Sequence, residues 1–161
     1  MIVAGTGHRP DKLYGKTRKI FQKLVLIAEQ WLDENKPTKV ISGMALGWDL
    51  ALAQATINKN IPLICAIPCK DQNCKWTLKQ QIFYKKILSI VIENPIHKVV
   101  YVSDKAYTSK CMQKRNEWMV DHCDVVLAIW DGTMGGTYNC IKYAINKQKL
   151  IINLYEEYIN G

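Results

Sequence analysis

The chain has 161 residues, of which 48% are hydrophobic and 22% are charged, and its formal net charge at pH 7 is +8. This composition excludes an intrinsically disordered chain, and the length fits one domain with a substantial core. The excess of positive charge indicates an anionic partner, such as a nucleotide, a nucleic acid or an acidic surface. The alternative is a basic protein with no polyanion to bind.

Strand-like runs alternate with helical patterns along the whole chain. The sequence predicts strands at 2–4, 39–42, 62–67, 98–102, 124–130 and 150–154. It predicts helices at 16–35, 48–59, 76–92, 109–122 and 137–147. Because strict alternation of this kind gives a parallel sheet with helices on both faces, we expect an α/β fold. The prediction is one Rossmann-like domain over 1–161, with a mostly parallel sheet of about six strands.

The six cysteines do not form a pattern typical of disulfides or of zinc binding. Only Cys69 and Cys74 lie close in sequence, and they have neither a second cysteine pair nor a nearby histidine. Because the first predicted strand begins at Ile2, we expect no leader peptide, and no run of 18 apolar residues occurs. We therefore expect a cytoplasmic protein (in the host cytoplasm if it is viral), without a membrane segment, a metal site or a cofactor.

Ligands of open parallel sheets bind beyond the carboxyl ends of the strands, and three glycine-containing loops follow predicted strands there. Backbone N–H groups at glycines can approach an anion closely, and an arginine offers a planar pair of donors to phosphate. The first loop contributes the candidate ligand contacts Gly5, Thr6, Gly7, His8 and Arg9. His8 is either an acid–base group or a turn residue that forms a local hydrogen bond.

The other two loops lead from a strand into a helix, where free N–H groups favour anions. The second supplies Ser42, Gly43, Met44, Ala45, Gly47 and Asp49, of which Asp49 either braces the helix start or binds a ribose. The third supplies Asp131, Gly132, Gly135, Gly136 and Thr137. A plain turn with Thr137 as helix cap is the alternative for the third loop. Together the loops predict a phosphate site.

These loops resemble the SMF/LOG (SLOG) superfamily of Rossmann-like proteins, and most closely its YpsA/YoqJ-like branch of unknown function, found in Firmicutes and their phages. The likeness spans nearly the whole chain. Its motifs are the segments 5–10, 42–49, 67–69, 115–116, 119–121, 130–132 and 135–137, together with Gln72, Trp76 and Tyr84. The segment 42–49 also resembles the glycine-rich part of DprA, a relative that binds single-stranded DNA.

The resemblance implies a nucleotide-type ligand that some relatives cleave and others only bind. The hydrolytic relatives, the Lonely Guy phosphoribohydrolases, use a helical arginine and a glutamate that follows a glycine-rich loop. Here Arg115 and Asn116 occupy the matching helix, but Cys140 stands where that glutamate would be. Because a neutral thiol cannot stabilise the oxocarbenium character of N-glycosidic cleavage, we expect binding rather than cleavage.

The preferred hypothesis is therefore a protein that captures or senses a nucleotide, such as an ADP-ribose-like or cyclic signalling nucleotide in a phage or host context. The second is a nucleotide N-glycosidase that uses Arg115 with Asp131 or Asp49. The third is DprA-like binding of single-stranded DNA. Trp48, Trp76 and Tyr138 either stack on a base of the ligand or pack against neighbouring side chains. The helix at 76–92 has enough apolar surface for a homo-oligomer.

Overall fold

The computed structural model describes residues 1–13, 17–104 and 106–161, and for Thr17 only the backbone. Its strands are Ile2–Gly7 (β1), Lys39–Ser42 (β2), Leu63–Ile67 (β3), Lys98–Tyr101 (β4), Val125–Ile129 (β5) and Leu150–Asn153 (β6). Its helices are Thr17–Asn35 (α1), Trp48–Asn58 (α2), Leu78–Glu93 (α3), Ser109–Asp121 (α4), Gly136–Asn146 (α5) and Tyr155–Asn160 (α6). A short 3-10 turn, Pro10–Lys12, follows β1.

The six strands form one parallel sheet in the order β4-β3-β2-β1-β5-β6. Successive strands are added on one side of β1 as far as β4, and the chain then crosses to the other side for β5. The strand order therefore reverses next to β1, where ligands of such sheets bind. The pairing of Gly7 with Ile129 brings the loops that follow β1 and β5 side by side. The predicted α/β class and Rossmann-like architecture are confirmed.

Hydrophobic cores lie on both faces of the sheet. One core contains apolar side chains of α1, α2, α3 and α6, and the other contains those of α4 and α5. Helix α2 is mostly buried, and small residues such as Ala51 and Ala55 let it approach the strands closely. Its first residue, Trp48, is fully buried, and its indole Nε1 donates a hydrogen bond of 3.1 Å to the carbonyl oxygen of Leu127 in β5. The start of α2 is thereby fixed to the centre of the sheet.

The element boundaries differ from the predictions where glycines and caps intervene. β1 continues to Gly7 because Gly5, Thr6 and Gly7 still pair with β5, although glycine usually weakens a strand. Capping boxes fix the helix starts, with Thr77 before α3 and Thr108 before α4. Residue 16 of the predicted helix 16–35 lies outside the described residues.

Two short elements were not predicted, the 3-10 turn Pro10–Lys12 and the last helix, α6. Both are too short for a periodic apolar pattern, and α6 depends on a tertiary contact. Its Tyr158 is buried against α1, where the ammonium group of Lys23 lies 4.8 Å from the ring centroid. Among the helices in the described parts of the chain, none combines the length and apolar character needed to cross a bilayer.

Candidate functional site

A cleft of about 190 Å³ opens at the carboxyl ends of the central strands. It lies between the turn after β1, the loop before α2, the middle of α4 and the start of α5. Most of its lining residues have polar side chains, and three of these residues are arginine or lysine. The lining residues are Thr6, Gly7, His8, Arg9, Asp11, Lys12, Ala45, Asp49, Met112, Arg115, Asn116, Thr133, Gly135, Gly136 and Thr137.

The turn after β1 rests directly on the first turn of α2. A Cβ atom on Gly7 would lie 2.6 Å from Cβ of Trp48, so only glycine allows the strand to come this close. Gly47, the residue before α2, has φ of +88°, and a Cβ there would lie 2.5 Å from the carbonyl oxygen of His8. The same carbonyl oxygen accepts a hydrogen bond of 3.4 Å from the amide of Trp48. These contacts fix the backbone that forms one wall of the cleft.

The loop before α2 is held by its own side chains. The hydroxyl of Ser42 donates to the carbonyl oxygen of Asp49 at 2.7 Å and accepts from the amide of Met44 at 3.2 Å. Oδ2 of Asp49 accepts a hydrogen bond of 3.4 Å from the amide of Ala45. Met44 has φ of +60°, a conformation that these bonds support in a residue other than glycine. The loop therefore has a fixed shape at the cleft.

A buried arginine and a buried carboxylate form the floor of the cleft. The Nη1 group of Arg115 donates to the carbonyl oxygen of Gly43 and, at 3.3 Å, to that of Ala66. It therefore links the carboxyl ends of β2 and β3. Its Nε donates to Oδ1 of Asn116 at 2.9 Å. A Cβ on Gly43 would collide with this guanidinium group and lie 2.8 Å from Oδ2 of Asp49. The two charged groups thus flank one glycine.

Burial dominates the ionisation of this pair. Burial raises the pKa of Asp49 to about 6, against the opposing effects of Arg115, the Ala45 amide and Arg9. Burial likewise lowers the pKa of Arg115, and the neighbouring Asp49 carboxylate opposes that change. Between about pH 4 and pH 6, Asp49 is therefore more protonated than an exposed carboxyl group, and at higher pH it is a buried carboxylate that Arg115 helps to stabilise.

The start of α5 forms the opposite wall of the cleft. Gly135 precedes the helix with φ of +148°, so the first N–H groups of α5 have no side-chain cap from that position. A Cβ on Gly136 would meet no atom within 4 Å, which leaves space in front of these groups. The ammonium group of Lys12 donates to the carbonyl oxygen of Met134 at 3.3 Å and so links the two walls.

His8 and Asp131 form a dyad at the edge of the cleft. Nε2 of His8 lies 2.6 Å from Oδ1 of Asp131, and the same oxygen accepts from the amide and the hydroxyl of Thr133 at 3.0 and 2.6 Å. The hydrogen bonds from Thr133, followed by that from His8, lower the pKa of Asp131 to about 2. Asp131 is thus ionised at neutral pH, and it lies outside the lining of the cleft while His8 belongs to it.

Comparison with known families gives one match that covers most of the chain. Residues 13–159 match the family described as DNA recombination-mediator protein A. The chain belongs to this family. It is also 32% identical over 137 residues to YoqJ, an uncharacterised protein derived from the SPbeta prophage of Bacillus subtilis strain 168, covering 78% of this chain and 80% of YoqJ. The predicted resemblance to the SLOG superfamily and its YoqJ-like branch is confirmed.

Solved structures of two proteins named DNA processing protein A share the fold. DNA processing protein A (DprA) of Streptococcus pneumoniae matches with a TM-score of 0.61 at 16% identity, covering 92% of this chain and 48% of that chain. DprA of Helicobacter pylori matches with a TM-score of 0.64 at 19% identity, and the match covers 94% of this chain and 63% of that chain. The structure of the Helicobacter protein concerns its binding of single-stranded DNA. This chain therefore spans about half the length of the streptococcal protein.

In this family member, most of the predicted ligand contacts do line the cleft. They come from all three glycine-containing loops and from α4. They are Thr6, Gly7, His8, Arg9, Ala45, Asp49, Arg115, Asn116, Gly135, Gly136 and Thr137. Their contact with a ligand stays a prediction.

The remaining predicted contacts lie outside the lining, for different reasons. Gly5 packs against Leu52 of α2, and Ser42 and Met44 are buried inside the loop that they brace. The carbonyl oxygen of Gly43 accepts hydrogen bonds from Arg115 and Gln72. Gly47 packs its backbone against the carbonyl oxygen of His8. Asp131 is bound to Thr133 and His8, and a Cβ on Gly132 would meet nothing within 4 Å.

The prediction that Trp48 stacks on a base is wrong, because its side chain is fully buried. Its indole group is used to join α2 to β5. Trp76 packs edge-on against Tyr84 at 5.2 Å, and Tyr138 lies 6.1 Å from Trp130. Neither Trp76 nor Tyr138 belongs to the lining of the cleft.

Cys140 lies in the core beneath the site. Only 2% of the residue is exposed, and it packs with Ala4, Met119 and Ala144. Burial raises the pKa of its thiol to about 11, against the lowering effect of a hydrogen bond with Thr6. The thiol is therefore protonated at neutral pH, so this position cannot supply the charge of a carboxylate.

Several cleft residues were missed by the sequence analysis, namely Asp11, Lys12, Met112 and Thr133. A signal existed for the first two, because a proline followed by charged residues is typical of a helical first turn. Met112 has the weaker signal of lying one helical turn before Asn116. Thr133 becomes part of the lining through its hydrogen bonds to Asp131, for which the sequence gives no sign.

Proposed function

We propose that this protein binds a nucleotide through its phosphate group in the cleft and holds it without cleaving it. One observation carries the proposal. The start of α5, the turn after β1 and three basic side chains meet around one cleft at the point where the strand order reverses. The uncapped start of a helix and basic side chains both favour anions, and together they suit phosphate.

The charges of the cleft support an anionic ligand. Arg9, Lys12 and Arg115 line it, whereas its carboxyl groups are those of Asp11 and Asp49. Because burial raises the pKa of Asp49 to about 6, this carboxyl group loses negative charge as the pH falls towards 6. The volume of about 190 Å³ is below the usual range for sites that enclose a whole drug-sized ligand. We therefore propose that the phosphate and sugar lie inside, with the base at the mouth.

The proposal of binding without cleavage rests on the carboxylates. Cys140 supplies no charge, and Asp131 lies outside the lining with its Oδ1 engaged by Thr133 and His8. Asp49 is buried beside Arg115, and its Oδ2 accepts from the Ala45 amide. The similarity to a prophage-derived protein fits capture of a host signalling nucleotide by such a site.

The test is calorimetric titration with nucleoside monophosphates, ADP-ribose and a cyclic nucleotide, followed by chromatography of the ligand. We expect Arg9→Ala to weaken binding about 10- to 100-fold, since hydrogen bonds to charged groups contribute about 1.5–3 kcal/mol. The matched control is Arg18→Ala on the exposed side of α1, which should leave the affinity unchanged. Equal affinities of the two variants would contradict a phosphate contact by Arg9, and release of free base would contradict binding without cleavage.

Single-stranded DNA is the second candidate ligand. Family membership supports it, as does the presence of exposed lysines near the carboxyl edge of the sheet, outside the cleft. These are Lys70 and Lys75 in the loop after β3, and Lys110 and Lys114 on α4. The Lys75 ammonium group lies 5.4 Å from the ring centroid of Tyr107, which joins the two segments. A strand that leaves the cleft in this direction would meet positive charge.

For this candidate, fluorescence anisotropy with labelled oligothymidylate at rising salt is the measurement. Four phosphate contacts predict a slope of about −3 for the logarithm of affinity against the logarithm of salt concentration. Replacing Lys110 and Lys114 by glutamine should reduce the slope by about 1 to 2. A slope near zero, or one that the double variant leaves unchanged, would exclude this surface as the DNA site.

A further inference from the structure

The carboxylate of Asp49 uses only one of its two oxygens to hold the fold. Oδ2 accepts the hydrogen bond of 3.4 Å from the amide of Ala45 and so braces the loop before α2. Among the described residues, no donor contacts Oδ1. Arg115 lies close to the carboxylate, but its guanidinium group donates to backbone carbonyl oxygens and to the side chain of Asn116. One acceptor of Asp49 is therefore unpaired.

This unpaired oxygen is accessible from the cleft. Asp49 is only 7% exposed, yet it belongs to the cleft lining. In the described part of the chain, Oε1 of Gln72 is the one fully buried side-chain oxygen that lacks a hydrogen-bond partner. Because Oδ1 of Asp49 also lacks a partner but is not fully buried, it retains access to open space. The cleft is the space that Asp49 lines, so a ligand in the cleft can reach this oxygen.

A free carboxylate oxygen in an anion cleft restricts what can lie against it. An ionised carboxylate accepts hydrogen bonds and donates none, and it repels phosphate oxygens. The proposed phosphate therefore lies towards the uncapped start of α5, where Lys12 bonds to the carbonyl oxygen of Met134. With the base at the mouth, the sugar is the part of the nucleotide left to face Asp49. The hydroxyl groups of a sugar are donors that a carboxylate accepts.

We propose that Oδ1 of Asp49 accepts a hydrogen bond from a sugar hydroxyl, so that the cleft prefers a nucleotide with free 2′- and 3′-hydroxyls over an interior residue of a DNA strand. The inference rests on the proposed function and deepens it by naming the sugar. An interior DNA residue has no 2′-hydroxyl, and its 3′-oxygen is esterified, so it offers Asp49 no donor. Its second phosphate also brings a further negative charge close to the carboxylate.

The burial of Asp49 makes this contact selective. A bound ligand excludes water from the floor of the cleft, so Oδ1 must find its donor on the ligand. Arg115 cannot turn towards it without leaving the buried carbonyl oxygens of Gly43 and Ala66. A ligand without sugar hydroxyls therefore leaves a desolvated carboxylate oxygen unpaired, which costs more than the loss of an exposed hydrogen bond.

The test is calorimetric titration of the unaltered protein with adenosine 5′-monophosphate and with its 2′-deoxy, 3′-deoxy and 2′,3′-dideoxy analogues. At pH 8 Asp49 is ionised, because burial raises its pKa only to about 6. We expect the dideoxy analogue to bind about 10- to 100-fold more weakly than the ribonucleotide, as for the loss of a hydrogen bond to a charged group. The two single-deoxy analogues identify which hydroxyl is the donor.

A variant assigns the preference to Asp49. Asp49→Asn should lower the affinity ratio of ribonucleotide to dideoxy analogue by about five- to tenfold, because an amide forms only a neutral hydrogen bond at this position. The matched control Asp33→Asn removes the same charge from an exposed residue of α1 that pairs with Lys59, and it should leave both affinities unchanged. Urea denaturation checks that both variants are folded.

The outcomes separate this inference from the proposed function. Equal affinities for the ribonucleotide and the dideoxy analogue in the unaltered protein would overturn the role of Asp49 and leave nucleotide binding intact. A ratio that Asp49→Asn leaves unchanged would likewise overturn that role. Failure of the unaltered protein to bind any nucleotide would overturn the proposed function itself. Oligothymidylate that displaces adenosine 5′-monophosphate with equal affinity would contradict the preference for free sugar hydroxyls.

Discussion

Replacement of Arg115 by leucine is expected to lower the free energy of unfolding by about 3–5 kcal/mol at pH 8. Arg115 is 3% exposed, and its guanidinium group donates to the carbonyl oxygens of Gly43 and Ala66. Leucine cannot donate to these buried oxygens, and it leaves the buried carboxylate of Asp49 without the positive charge that has the largest effect on it. Urea denaturation followed by circular dichroism measures the loss.

The loss should be smaller at pH 5 than at pH 8. Burial raises the pKa of Asp49 to about 6, above its value of 3.8 in an unfolded chain. Between these values the folded state binds more protons than the unfolded state, so this group contributes stability at low pH that is lost as the pH rises through 6. Without Arg115 the folded-state pKa rises further, so the loss of stability extends to higher pH. At pH 5 the unsatisfied carbonyl oxygens account for most of the remaining cost.

A double-mutant cycle with Asp49→Asn isolates the charge effect. The double variant should be less destabilised at pH 8 than the sum of the single variants, by about 1–3 kcal/mol. Arg18→Leu on the exposed side of α1 is the matched control, and its effect should be within about 0.5 kcal/mol. Strictly additive effects at both pH values would show that Arg115 and Asp49 act independently.

The fold was predictable because its signals are local. Each strand is a short run of apolar residues, and β5 in particular is buried along its whole length, as expected for a central parallel strand. The helices show apolar spacing or capping residues close to their observed starts. The extension of β1 to Gly7 was not predictable, because it depends on pairing with a strand more than a hundred residues later.

The site was predictable only as a set of backbone loops. Glycines after strands indicated where N–H groups would be free, and the structure brings residues of all three loops to one cleft. The partners of the side chains were not predictable, because they come from distant segments. Arg115 meets Gly43 across 72 positions, and His8 meets Asp131 across 123. Sequence patterns therefore identified the loops that form the cleft and missed the dyad.

Replacement of Gly7 by alanine should destabilise the fold by about 3 kcal/mol, near the upper end of the usual cost of overpacking. The new Cβ would lie 2.6 Å from both Cβ and Cδ1 of Trp48, whose side chain is fully buried and whose indole group donates to Leu127. Cβ of a fixed tryptophan cannot rotate away, so β1 and α2 must separate. This separation also displaces the turn that places His8 and Arg9 in the lining of the cleft.

Gly136→Ala provides the matched control, because it adds the same methyl group to the same cleft region. A Cβ there would meet nothing within 4 Å, and alanine is favoured over glycine in a helix by about 0.5–1 kcal/mol. We therefore expect this variant to be as stable as the unaltered protein or slightly more stable. The midpoints of urea denaturation give the comparison. If Gly7→Ala were as stable as Gly136→Ala, close contact between β1 and Trp48 could not be what positions the first wall of the cleft.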